Sequence, residues 1–231
     1  MITVVAVLIM AGIVAMDTTG GPQLLVSEPV VSCYIVGALL GAPHTGLLMG
    51  LMFQLLALRY MPLGAARLHD GNMGAFVATA GLLYAITHFD FVGTYETAMI
   101  VPALLYGDFA GYIGKLLTNA VRRLNGRRSE RLARLVEDGA EVSIPAWHFT
   151  GLGLSFLRGM VMAIVLIPLG VAFVGLVRFV PDDLFYGLHY ATLLVWGPVT
   201  AAAVVYFWMK GTHRYLLAGT VCGLVWLAIT L

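Results

Sequence analysis

Asp, Glu, Lys and Arg are absent from the runs 1–16, 29–58, 71–89, 142–157, 159–177, 184–209 and 215–231. A helix needs about 20 mostly apolar residues to cross a bilayer, and fewer when it is re-entrant. Apolar positions within these runs do not alternate, and many runs exceed strand length, so the pattern predicts helices. The run 29–58 is too long for one crossing, and Gly41-Ala42-Pro43-His44 falls near its middle. Glycine and proline there end one helix and begin another, so the run reads as a helix followed by a second segment of re-entrant type. The region 91–120 supplies a further span despite Glu96, Asp108 and Lys115. The expected fold is an all-α polytopic integral membrane protein with roughly seven or eight membrane segments, re-entrant hairpins included.

Composition removes the alternatives. Of the 231 residues, 60% are hydrophobic and 11% charged, with mean hydropathy +0.92. Soluble domains carry about 25% charged residues, so a soluble enzyme, a nucleic-acid binder and a disordered chain are all excluded. The net charge of +1 creates no global field to steer a charged partner. The apolar start, Met1 to Met16, has no basic residue before it and no small-residue cleavage site before Asp17. It is expected to be a retained first membrane segment rather than a cleaved leader. Cys33 and Cys222 both lie in apolar runs and are expected to serve as packing residues, since two such cysteines suit neither a disulfide framework nor a thiolate metal site.

Charge is also unevenly placed. Seven of the 13 basic residues lie between Lys115 and Arg134, and basic segments stay on the cytoplasmic side. The positions of Leu124, Leu132, Leu135 and Val136 among the arginines suggest a surface-lying amphipathic helix. It reads either as a docking surface for a cytosolic partner or as a topology determinant touching anionic headgroups. The single membrane domain, 1–231, then divides into an N-terminal membrane part (1–120), a basic cytoplasmic loop (121–147) and a C-terminal membrane part (148–231). Gly37, Gly41, Gly46 and Gly50 recur every four or five residues, as small residues do where helices pack closely.

A polar side chain in hydrocarbon is costly and marks a functional candidate. The candidates are Glu28, Gln54, Arg59, Arg67, Asp70, Asn72, Asp108, His148, Arg158 and His189, densest between Phe53 and Asn72 around a Pro62/Gly64 break. Transporters bind substrate at broken membrane helices, and carboxylates and amides suit a polyhydroxylated ligand. The same stretch also reads as a solvent-exposed loop between two spans. The six histidines are scattered, with no HExxH and no i, i+4 pair, so neither a metal site nor a cofactor is expected. Ser155 and His189 are the raw material for an intramembrane serine-protease dyad, which needs the base within hydrogen-bond reach of the nucleophile.

The run from Leu24 to Thr79 resembles the membrane IIC component of the mannose/fructose/sorbose family of sugar phosphotransferase (PTS) permeases. The residues that carry the likeness are Pro29, Val36-Gly37, Leu40-Gly41, Thr45-Gly46, Ala57-Leu58, Met61, Gly64-Ala65-Ala66 and Asp70. The Trp147-His148 opening and the 180–209 region, with its Pro and Gly-Leu pair, extend it. The resemblance implies a sugar substrate, a IID membrane subunit, cytosolic IIA and IIB phosphoryl carriers, an oligomer in the lipid bilayer of the bacterial inner membrane, and no catalytic residue or phosphorylated histidine of its own. The basic stretch Arg122–Arg134 is then expected on the side where IIB acts.

The chain departs from the family pattern at Gln54 (family glutamate), Arg59 (family glycine) and His69 (family proline). Loss of a carboxylate removes a charge-assisted acceptor for hydroxyls. Arg59 suggests an acidic sugar derivative or an ion pair with Asp70. Carried residue by residue, Asp70 is the best match and Gln54 holds its place with altered chemistry; Asn72 and Glu28 rest on the polar-residue argument. The expected function is sugar translocation by a phosphotransferase subunit, with a divergent stand-alone secondary transporter as the alternative. Asp70→Ala is expected to abolish uptake while leaving membrane insertion intact.

Overall fold

A computed structural model describes residues 2–21, 23–57, 69–90, 94–192, 214, 217–219 and 221. Among these residues the α-helices follow in the order α1 (Ile2–Thr19), α2 (Pro29–Leu39), α3 (Pro43–Ala57), α4 (Gly71–Phe89), α5 (Thr94–Ala98), α6 (Ile100–Glu137) and α7 (Ile144–Gly175). A 3₁₀ turn (Leu176–Phe179) ends α7, and residues 182–192 are again helical. Among the described residues there is no strand.

The centre of the bundle is α4. Its sequence is apolar all round, which suits a helix surrounded by others rather than one facing a solvent. Every residue from Met73 to Leu83 is buried, and α1, α2, α3, α6 and α7 all touch the helix. The outer surfaces of α6 and α7 expose Leu105, Phe109, Leu157, Val161, Ile164 and Val165. The stripe 157, 161, 164, 165 follows helical spacing, and an apolar face of this extent matches hydrocarbon rather than water. Among the described residues, the helical stretches Glu96–Glu137 and Ile144–Phe179 are long and apolar enough to cross a bilayer.

The break at 41–43 falls where the sequence places it. α2 and α3 have 11 and 15 residues, about 16 and 22 Å at 1.5 Å per residue, both short of the roughly 30 Å hydrocarbon layer. They pair as a hairpin of two short helices. Gly41 makes the turn at φ +80°, and the Ala42 amide donates to the Gly37 carbonyl at 2.8 Å. Of the four regularly spaced glycines, Gly41 therefore turns the chain, while Gly37 and Gly46 let the helix backbones meet: a Cβ on Gly37 would lie 2.8 Å from the Gly46 Cα.

The hairpin is approached through a turn organised by Asp17. Its carboxylate accepts from the Leu24 amide at 2.6 Å and the Ser27 amide at 2.9 Å, holding a loop in which Gln23 and Leu25 both have positive φ. Left-handed backbone at two non-glycine residues is costly and persists only when the surroundings impose it. Asp17→Ala is expected to cost about 1–3 kcal/mol and to speed hydrogen exchange at the Leu24 and Ser27 amides. Unchanged exchange at both amides would refute this role for Asp17.

Two features differ from the sequence expectation. The basic segment is not a separate surface helix: α6 runs without interruption to Glu137, 38 residues or about 57 Å. It turns at Gly139 (φ +75°) and returns as α7. The distal parts of α6 and α7 thus form a paired arm beyond the apolar core, fastened where the Arg128 guanidinium stacks on Trp147 at 5.4 Å and donates to the Thr150 hydroxyl. The charge-free runs 142–157 and 159–177, separated by Arg158, belong to a single helix, α7, with Arg158 buried inside it.

Candidate functional site

The sequence cluster 53–72 divides in the structure. Residues 58–68, including Arg59, Arg67, Pro62 and Gly64, lie outside the described residues, so the expected Arg59–Asp70 pair lies outside them too. The residues flanking that segment are well placed, in two groups.

The first group joins the two arms of the α2–α3 hairpin. Gln54, on α3, donates from Nε2 to the Glu28 carboxylate at 2.8 Å, and its Oε1 accepts from the Val30 amide at 3.4 Å. Glu28 is the N-cap of α2 but makes no side-chain cap hydrogen bond, and Pro29 follows at the first helical position. The amide of Gln54 therefore does what a capping side chain would do, satisfying an otherwise open N–H in the first turn. Glu28 is left with a carboxylate engaged at one oxygen and half-exposed, available to accept from hydroxyl groups.

The second group is a buried ion pair. The Asp70 carboxylate meets the Arg158 guanidinium; the two side chains are 4% and 2% exposed. Thr118, on α6, donates to the same carboxylate at 3.3 Å and accepts from Arg158. Arg158 also donates to the Ala15 carbonyl of α1 at 3.1 Å. One ion pair thus ties α1, α6 and α7 to the start of α4. Asp70 is the N-cap of α4, accepting from the Met73 amide at 3.3 Å, and its own amide donates to the Gly111 carbonyl at 3.1 Å. That cap fixes the first turn of α4, where Asn72 sits half-buried.

Beside Asp70, the His69 Nε2 donates to the Asp108 carbonyl at 2.7 Å, with the Asp108 carboxylate 3.7 Å away. A cavity of about 30 Å³ adjoins them, walled by Phe53, Leu56 and Leu104. It has room for about one water. The approach of 69–70 to α6 depends on small residues. A Cβ on Gly111 would lie 2.2 Å from the His69 ring, and one on Gly114 would lie 2.8 Å from the Asp70 Cβ. The spacing Gly107, Gly111, Gly114 is visible in the sequence as a small-residue stripe, and that signal could have located the docking face for α4.

The remaining candidates sit apart. His189 Nδ1 shares a hydrogen bond of 2.6 Å with the Thr97 hydroxyl, and Ser155 is buried beside Arg158 on α7, so no serine–histidine dyad is assembled. Glu96 accepts from Thr45 at 3.2 Å, linking α5 to the hairpin. Among the described residues no three His, Cys, Asp or Glu side chains are grouped to hold a metal ion.

Over residues 1–197 the chain matches the family model described as PTS system sorbose-specific IIC component. The PTS system sorbose-specific EIIC component of Lacticaseibacillus casei is 27% identical over 132 residues, 57% of this chain and 43% of that relative. The PTS system mannose-specific EIIC component of Escherichia coli (strain K12) is 24% identical over 166 residues, 71% of this chain and 58% of the relative. The chain spans about half the length of the curated relatives it matches. A solved structure described as a membrane protein superposes with TM-score 0.67 at 21% identity, covering 100% of this chain and 92% of the other. The cryoEM structure of the mannose transporter ManYZ with microcin E492 gives TM-score 0.57 at 20% identity, with coverage of 98% and 95%. These likenesses carry the fold, an all-α polytopic membrane architecture.

Proposed function

The chain belongs to the family of sorbose-specific IIC components of sugar phosphotransferase systems, and from that premise we propose that it is a membrane-spanning IIC subunit that binds a sugar and translocates it for phosphorylation by a IIB partner. It is a membrane protein; the bacterial inner membrane, a IID subunit beside it and the IIA and IIB carriers complete the proposal. The observation that carries the reading is the Glu28–Gln54 pair on the re-entrant hairpin, with the Val30 amide beside it. A carboxylate, an amide and the opening of a short helix at a break in membrane-embedded chain are the groups that recognise hydroxyls.

Each proposed contact has its own part. Glu28 accepts from sugar hydroxyls, Gln54 orients Glu28 and offers a carbonyl oxygen, and Asn72 contributes an amide from the first turn of α4. Asp70 works through its ion pair: with both faces of the carboxylate committed to Arg158, Thr118 and Met73, it sets the start of α4 and so the position of Asn72. The basic arm, 121–147, lies on the cytoplasmic side in this reading, where segments rich in arginine and lysine are retained.

Uptake of radiolabelled sorbose and mannose, with IID, IIA and IIB partners present, tests the proposal. Glu28→Ala is expected to raise KM about 10- to 100-fold with normal membrane insertion, since a charge-assisted hydrogen bond contributes about 1.5–3 kcal/mol. An unchanged KM would remove Glu28 from the site. Uptake into liposomes by the purified chain alone, with no phosphoryl carrier, would favour a stand-alone secondary transporter instead.

A further inference from the structure

A second cavity lies away from the hairpin, where the paired arm leaves the apolar core. It measures about 390 Å³ and opens between the end of α1, α6 and the first half of α7. Its inner end is formed by Thr118, Ser155 and Arg158, and its outer wall by Arg122, Asn125, Arg128, Ser129 and His148. No Asp or Glu is found among the described lining residues. Asp70 answers the charge of Arg158 from the far side, which leaves Arg122 and Arg128 as the cations facing the cavity.

Three observations make this a built site rather than a gap between helices. The Arg158 side chain is 2% exposed, and its Nε, buried, has no hydrogen-bond partner among the described residues. Arg158 thus closes the inner end of the cavity as a fixed, buried cation rather than a mobile surface side chain. Arg128 is held in place by its stack on Trp147, which reduces the entropy a ligand must overcome to engage it. The first turn of α7 forms part of the wall, with Ile144, Trp147 and His148, and its N-cap Ser143 makes no side-chain cap hydrogen bond. The positive end of that helix therefore adds to the field of the arginines.

We propose that this cavity binds a phosphate-bearing anion. Planar guanidinium groups match phosphate oxygens in bidentate geometry, and hydroxyl and amide donors from Ser129 and Asn125 suit the remaining oxygens. The volume accommodates one phosphorylated small molecule or one lipid headgroup. The inference rests on the cavity alone and does not depend on which sugar the hairpin recognises.

The test uses the full chain purified in neutral detergent, with thermal unfolding read against inorganic phosphate at constant ionic strength, and separately against micelles containing phosphatidylglycerol or phosphatidylcholine. Stabilisation by phosphate identifies a soluble phosphorylated ligand, and stabilisation by phosphatidylglycerol over phosphatidylcholine identifies a lipid headgroup; either supports the site. R122Q/R128Q is expected to weaken the effective probe by about tenfold or more per arginine, while R134Q, on the same arm but outside the cavity, leaves it unchanged. The single variant R122Q, at the exposed rim, keeps the test open if freeing Trp147 unsettles the arm. Stabilisation by neither probe, an R122Q affinity equal to that of the parent chain, or an equal loss in R134Q overturns the proposal.

Discussion

Asp70→Ala is expected to lower the unfolding free energy by about 3–5 kcal/mol, because it strands the Arg158 guanidinium without its counter-charge. Both side chains are almost fully enclosed, so water cannot replace the lost partner. Arg158→Met should cost a comparable amount by stranding the carboxylate. The double variant D70A/R158M should recover most of the loss, since removing both charges together leaves no uncompensated ion. Thermal unfolding in detergent measures all three. A double variant no more stable than D70A would show that the pair is not the source of the effect.

This changes how a loss of uptake in D70A is to be read. The sequence alone predicts lost uptake with intact insertion, from a carboxylate that touches sugar. In the structure the same carboxylate holds four helices together, so lost uptake follows from a loosened scaffold as well. Uptake by D70A/R158M separates the two: recovery with stability marks Asp70 as a positioning residue, and continued loss in a stable double variant marks a direct contact.

The second large effect comes from close helix approach. Gly74→Ala is expected to cost about 3 kcal/mol, at the upper end of overpacking penalties. A Cβ there would lie 2.3 Å from the Gly107 carbonyl oxygen and 2.9 Å from the Gly111 nitrogen. Both are backbone atoms and cannot rotate aside, so α4 and α6 must separate and disturb the contact of His69 and Asp70 with α6. The same substitution at Gly126, where a Cβ meets nothing within 4 Å, should instead stabilise by about 0.5–1 kcal/mol through helix propensity. Comparable unfolding temperatures for the two variants would remove the argument from close packing.

Glu28 and Gln54 were visible as polar exceptions in apolar sequence, because hydrocarbon penalises such residues wherever they fall. Their mutual hydrogen bond was not visible, since it depends on α2 and α3 folding back on each other. Asn72 is visible on the same polar-residue argument, and its placement follows from the cap Asp70 makes. In the sequence Arg122 and Arg128 belong to a basic surface segment, and only the return of α7 beside α6 makes that surface the wall of a cavity.

By itself the sequence determined the helical membrane class, the hairpin break at 41–43 and the concentration of positive charge between 115 and 134. These are local properties: hydropathy over a window, the φ preference of glycine, and the charge carried by a segment. Tertiary structure alone decided the fate of the charges inside the apolar segments. Arg158 interrupts a charge-free run in sequence, yet it lies in the middle of α7 because Asp70, 88 residues earlier, meets it there. A charge in hydrocarbon ends a helix or is carried within it according to whether a counter-charge arrives, and that depends on packing between segments distant in the chain.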